Sequence, residues 1–166
     1  DVALLTLLLG TGIRVSECVG LDVNDVDFDN GCVKVVRKGG KEAIVYFGDE
    51  VEEALKEYME HRLEIFTPVE EDMDALFISS KHRRISVRAV ELLVKKYASL
   101  TTTLKHITPH KLRSTYGTQL YKETGDIYLV ADVLGHRDVN TTKKHYAAID
   151  DERRLKIRNA VQLREK

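Results

Sequence analysis

The pair Asn30-Gly31 lies between two short runs rich in β-branched residues, and Gly39-Gly40 marks a second break soon after. An Asn-Gly pair flanked by apolar runs is a strong local signal for a β-hairpin with a turn of the primed kind. Val33 and Val35 on one side and Ala43 to Phe47 on the other supply the branched and aromatic residues that strands favour. Strands are therefore predicted near 25–28, 31–37 and 42–47. Around this island the apolar spacing is helical. Residues 2–9 read as a buried helix ending at Gly10-Thr11-Gly12, and a second helix covers Arg14 to Leu21. Val51, Leu55, Tyr58, Met59 and Leu63 recur at steps of three and four. Pro68 and an acidic loop follow, then the short apolar piece Leu76-Phe77-Ile78. Further helices are predicted at 86–100, 109–124, 126–135, 140–147 and 151–163. The fold class is α+β and mostly helical, with one small three-stranded antiparallel sheet.

A length of 166 residues fits one domain with a sizeable core. No apolar run reaches the roughly 18 residues of a membrane span. The opening DVALLTLLLGTG begins with an acid and has no basic stretch before it, so it reads as a buried helix and not a signal peptide. Its abrupt start reads as a piece of a longer chain. Cys18 and Cys32 are too few for a disulfide framework or zinc site and fit two buried thiols in a reducing cytoplasm. From Asp49 to Asp74 eleven acids outweigh two bases (Lys56, Arg62), and from Lys81 to Gly117 nine Lys and Arg outweigh one acid, Glu91. This asymmetry fits one acidic face and one surface able to meet a polyanion, or simply two solvated helix faces.

Four stretches could carry chemistry. In Thr108-Pro109-His110-Lys111, Thr108 is a good N-cap and Pro109 suits the first helical position, so His110 falls in the first turn and Arg113 shares its face. Free N–H groups and the positive helix end at such a place favour a phosphate. In Gly12-Ile13-Arg14, the arginine starts a helix among apolar neighbours, and Glu17 three residues on can fix its guanidinium. In RKGGK, lysines bracket a glycine pair at a hairpin tip, within reach of a ligand beside the sheet. In LGHRDVNTTKKHY, Gly135 ends a helix, His136 follows, and two threonines lead to Tyr146. A tyrosine hydroxyl, with a pKa of about 10, needs a positive and water-poor site to act as a nucleophile. Taken singly, each has a plainer account: a solvated helix face, a structural Arg–Glu pair, a charged turn, a core tyrosine. Zinc binding by His106, His110, His136 and His145 is disfavoured, because Pro109 breaks the one pair with helix-face spacing.

In this order, the stretches resemble the tyrosine recombinase (phage integrase) family, whose pattern is G-[LI]-R-x-S-E, a hairpin Lys, H-x-x-R, L-G-H and a C-terminal Tyr. The matching residues are Gly12 to Glu17, Lys38, His110 to Arg113, Leu134-Gly135-His136 and Tyr146. The resemblance runs from residue 1 to about 150. It implies that Tyr146 attacks a DNA phosphodiester and forms a 3′-phosphotyrosyl link, and that Arg14 and Arg113 clamp the non-bridging oxygens. It further implies that His110 acts as acid or base, that Lys38 protonates the leaving 5′ oxygen and that His136 hydrogen-bonds the phosphate. Glu17 supports Arg14. Neither a cofactor nor a metal is implied.

The family hairpin often ends in R-x-V-P, where this chain has Ala43, Ile44, Val45 and Tyr46. Lys41 therefore stays open beside the preferred Lys38. Tyr116, Tyr121 and Tyr128 precede His136 and match less well. The resemblance also implies double-stranded DNA as partner, no membrane, a cytoplasmic place and homotetramers on paired sites in a longer protein. The family's N-terminal DNA-gripping domain has no counterpart here, so residues 1–166 are expected to be the catalytic domain, a monomer that binds DNA weakly and recombines nothing alone. That tail, amphipathic through Leu155, Ile157 and Val161, docks either on its own domain or on a neighbour. The rival functions are DNA relaxation of the type IB topoisomerase kind and a DNA-binding module without catalysis. The small hairpin and the L-G-H motif favour recombination in the service of an integrating element or of chromosome-dimer resolution.

Overall fold

The computed structural model describes residues 1–101, 107–136 and 139–157. His106, Lys105 and the tail beyond 157, including Val161, lie outside the described residues, as do the side chains of His145 and Ile157. Two compact units divide the chain, residues 1–116 and 117–166.

The first unit opens with α1 (Val2–Thr11), whose Leu4, Leu7 and Leu8 are buried. Gly12, left-handed at φ 68°, ends it and donates its N–H to the Leu8 carbonyl at 3.1 Å. Gly10 is a helical residue and not the stop the sequence suggested. A Cβ there would lie 2.4 Å from Val51 Cγ2, so the missing side chain lets a later helix approach. Next, α2 (Val15–Val19) is shorter than the predicted 14–21.

The antiparallel sheet has the order β1 (Val26–Asp27), β2 (Cys32–Val36), β3 (Glu42–Tyr46). Val33, Val35 and Val45 face the core, while Lys34, Val36, Ile44 and Tyr46 alternate outward. The first turn differs from the predicted primed type. Asp27 pairs with Cys32, leaving Phe28 to Gly31 as the connection, and only Gly31 takes a positive φ, 65°. Asp27 overrides the Asn-Gly preference by accepting from the Asn30 N–H at 3.0 Å and the Asn30 amide at 2.7 Å. These bonds, the side-chain one first, hold the Asp27 carboxyl below its ordinary pKa. The second turn holds two left-handed glycines, Gly39 at φ 82° and Gly40 at φ 77°.

Helix α3 (Asp49–Ile65) has Asp49, Glu50 and Glu52 in its first turn, favourable to the helix dipole. Its Val51 and Leu55 are buried, but Leu63 is exposed and drops out of the expected apolar stripe. Arg62, also buried, donates Nε to the Ala75 carbonyl at 3.0 Å and Nη2 to the Met73 carbonyl at 2.5 Å, anchoring the acidic loop. Arg84 does the same for the end of α2, with Nη1 bonded to the Val19 and Leu21 carbonyls and an ion pair to Asp22. Arg83 pairs with Glu71 and Arg88 with Glu91. Part of the basic segment is thus neutralised inside this unit and does not form a uniform cationic face. Helix α4 (Val87–Thr101) adds Val90 and Val94 to the core. Cys18 is wholly buried, which pushes its thiol up to about 12.

Helix α5 (Pro109–Thr124) has the predicted bounds and contains the division between the units. The second unit continues with α6 (Ile127–Leu134), α7 (Val139–His145) and α8 (Ala147–Ile157). Asp126 caps α6 by accepting from the N–H groups of Tyr128 and Leu129. Tyr121, Val130, Ala131, Leu134, Thr142 and Tyr146 are among its buried residues.

Candidate active site

Within the first unit a corner at residues 12–17 gathers the cations. The left-handed Gly12 turns the chain so that its carbonyl accepts from Arg113 Nη1 at 2.6 Å, and Arg113 is buried. Arg14 is the N-cap of α2, and its N–H donates to Glu17 Oε1 at 2.9 Å, one half of a capping box. Arg14 Nη1 lies 3.9 Å from Glu17 Oε2, with 37% of the Arg14 side chain exposed. The predicted Arg–Glu pair is present, therefore, as a long contact around a buried carboxylate.

Thr108 caps α5 as its sequence indicated, its Oγ accepting from the Lys111 N–H at 3.2 Å. His110 is exposed in the first turn, one turn before the buried Arg113. Lys38 is exposed on the second hairpin turn, and Lys41 is exposed beyond the glycines. Arg37, beside Lys38, carries no motif signal of its own in the sequence. Its Nε lies 3.5 Å from Glu17 Oε2, closer than Arg14. The structure thus brings Arg14, Glu17 and Arg113 to one corner, and the Lys38 turn reaches that corner through Arg37.

His136 and Tyr146 belong to the second unit and are held there by its own contacts. After α6, Gly135 at φ 74° and the bond from the His136 N–H to the Ala131 carbonyl (2.9 Å) form a Schellman motif, which fixes where His136 leaves the helix. Its Nδ1 lies 2.6 Å from Oγ1 of the fully buried Thr142, whose carbonyl accepts from the Tyr146 N–H at 3.2 Å. Thr142, read in sequence only as part of a polar stretch, therefore links the histidine to the tyrosine.

Tyr146 is 3% exposed. Its ring packs against Tyr121 at 5.3 Å, and the Tyr121 hydroxyl bonds to Asp150. Gly117 makes room for the phenol, since a Cβ there would lie 2.3 Å from Tyr146 Oη and 3.0 Å from Leu134 Cδ1. Gly117→Ala is expected to push the ring out and raise tetranitromethane nitration at Tyr146 several-fold. Unchanged nitration would mean that the notch does not hold the ring. Tyr116, by contrast, has its phenol pushed above the ordinary value by burial. Among the described residues, no three His, Cys, Asp or Glu side chains are arranged to hold a metal ion, and no helix is long and apolar enough to cross a membrane.

The family model described as "Phage integrase family" matches residues 1–153. The chain belongs to the phage integrase family. It is 41% identical over 145 residues to the tyrosine recombinase XerC of Thermodesulfovibrio yellowstonii, covering 86% of this chain and 48% of that protein. Against the tyrosine recombinase XerD of Neisseria meningitidis serogroup B it is 40% identical over 143 residues, with the same two coverages of 86% and 48%. The chain spans about half the length of these curated relatives. Among solved structures, the XerA recombinase matches with a TM-score of 0.82 at 29% identity, over 98% of this chain and 58% of that one. The XerH recombinase in its post-cleavage complex with a palindromic difH substrate matches with a TM-score of 0.77 at 26% identity, over 93% of this chain and 43% of that one. The mostly helical fold with a small antiparallel sheet is that of tyrosine recombinase catalytic domains.

Proposed function

We propose that this chain is the catalytic domain of a site-specific recombinase that cuts and rejoins double-stranded DNA through Tyr146. The observation that carries it is the gathering of Arg14, Glu17 and Arg113 at the Gly12 corner, in a chain of this family. The likeness to recombinases named XerC and XerD, and to XerH bound to difH, supports DNA as the substrate.

In the proposed step, Tyr146 Oη attacks the phosphorus. The new P–O bond forms as the bond to the 5′ oxygen breaks, and that oxygen takes a proton from the Lys38 ammonium. His110 accepts the phenol proton. Arg14 and Arg113 stabilise charge growing on the non-bridging oxygens, and His136 donates a hydrogen bond to one of them. The phosphotyrosyl link conserves the phosphodiester energy, so a second 5′ hydroxyl rejoins the strand without ATP. Tyr146 is packed inward, so attack requires the 146 segment to shift when DNA binds. In a longer protein, an N-terminal domain grips the other face of the duplex and four copies act on two paired sites.

The test is covalent capture of nicked duplexes from a random-sequence pool, followed by measurement of affinity for a recovered duplex against salt. The affinity should fall with a log–log slope of about −0.9 per phosphate contacted. A flat salt response would remove DNA as the substrate.

A further inference from the structure

The turn that carries Lys38 is tied to the Arg14 corner through one buried carboxylate. The Glu17 side chain is 2% exposed, and its Oε2 is enclosed and makes no hydrogen bond. Such a carboxylate is strongly unfavourable without counter-charge. Two cations supply it: Arg14 at 3.9 Å with 37% of its side chain exposed, and Arg37 at 3.5 Å with 16% exposed. Arg37 is the nearer and the more buried of the two. Its backbone also closes the turn, because its N–H donates to the Lys41 carbonyl at 2.6 Å and its carbonyl accepts from the Gly40 N–H at 3.0 Å. Between these bonds stand Lys38 and two left-handed glycines, a segment with little of its own to fix its direction. The Arg37 side chain on Glu17 thus ties this turn to the corner.

We propose that Arg37 is a positioning residue for DNA cleavage. By pairing with Glu17 it fixes the hairpin turn against the corner that holds Arg14, and so places the Lys38 ammonium at the leaving 5′ oxygen. Arg37 does not touch the DNA; it acts through Lys38. The proposal rests on the recombinase assignment and on Lys38 as proton donor.

The test compares two forms of one captured duplex, one with the ordinary 5′ oxygen at the scissile bond and one with sulfur in its place. A thiolate leaves without being protonated, since a thiol has a pKa of about 8.5 against about 15.7 for water. Single-turnover cleavage is followed for the unsubstituted chain, Arg37→Met, Arg37→Lys and Lys38→Ala. On ordinary DNA, Arg37→Met should be slowed about 100-fold, the usual effect of a misplaced group, with most of the rate restored in Arg37→Lys. On the sulfur substrate, Arg37→Met and Lys38→Ala should both come within about threefold of the unsubstituted chain. Equal slowing of Arg37→Met on both substrates, with Lys38→Ala rescued, would overturn the proposal. So would Arg37→Met cleaving ordinary DNA at the full rate. If Lys38→Ala is not rescued, Lys38 is not the proton donor, and the proposal falls with that assignment. Should Arg37→Met fail to fold, Arg37→Gln, which keeps a polar side-chain end without the charge and leaves Glu17 in place, is held to the same comparison.

Discussion

Tyr146→Phe is expected to abolish covalent attachment to DNA while leaving DNA affinity and folding nearly unchanged. The substitution removes one oxygen from a ring that is 3% exposed and packed against Tyr121, so the apolar contacts of the second unit survive. In the proposed step that oxygen is the nucleophile, and loss of a nucleophile elsewhere costs roughly 10⁶ in rate, below what a capture gel detects. The substitution changes no charge, so binding in a gel-shift titration should stay within about twofold. Attachment by the Phe variant at the parent rate would exclude Tyr146.

The second large effect is expected at Arg113, and it has two parts. In the proposed step Arg113→Ala removes a charge that stabilises the transferring phosphate, worth roughly 10²–10³ in cleavage rate. It also leaves the Gly12 carbonyl without the 2.6 Å bond it accepts from Arg113, at a cost of about 1–3 kcal/mol in stability. A melting curve separates the two, since the stability loss lowers Tm whereas the rate loss persists at temperatures where the variant is fully folded. Cleavage at the parent rate by folded Arg113→Ala would reduce Arg113 to a strut that holds the Gly12 turn.

The elements of this fold were legible where local chemistry decides them. Thr108-Pro109 set the start of α5, and Gly135 set the end of α6 and the place of His136. Local rules failed where a neighbour intervened. The Asn30-Gly31 turn is governed by the Asp27 carboxylate, which takes both Asn30 donors. Gly10 looked like a helix stop, yet it is a space for Val51, a residue far along the chain. The same distinction holds for the site. Arg14, Glu17, His110, Arg113, His136 and Tyr146 stand in recognisable order. Arg37, Thr142 and Gly117 matter only through a buried carboxylate, a histidine nitrogen and a phenol, none of which their sequence spacing reveals. The charge asymmetry misled in part, because Arg84 and Arg113 point into structural carbonyls.

The most direct measurement is a peptide map of the covalent protein–DNA adduct by tandem mass spectrometry after nuclease digestion. The expected result is a nucleotide joined by its 3′ phosphate to the peptide containing Tyr146, and to no other residue. A nucleotide on Tyr116, Tyr121 or Tyr128, or a 5′-phosphate linkage, would contradict Tyr146 as the nucleophile.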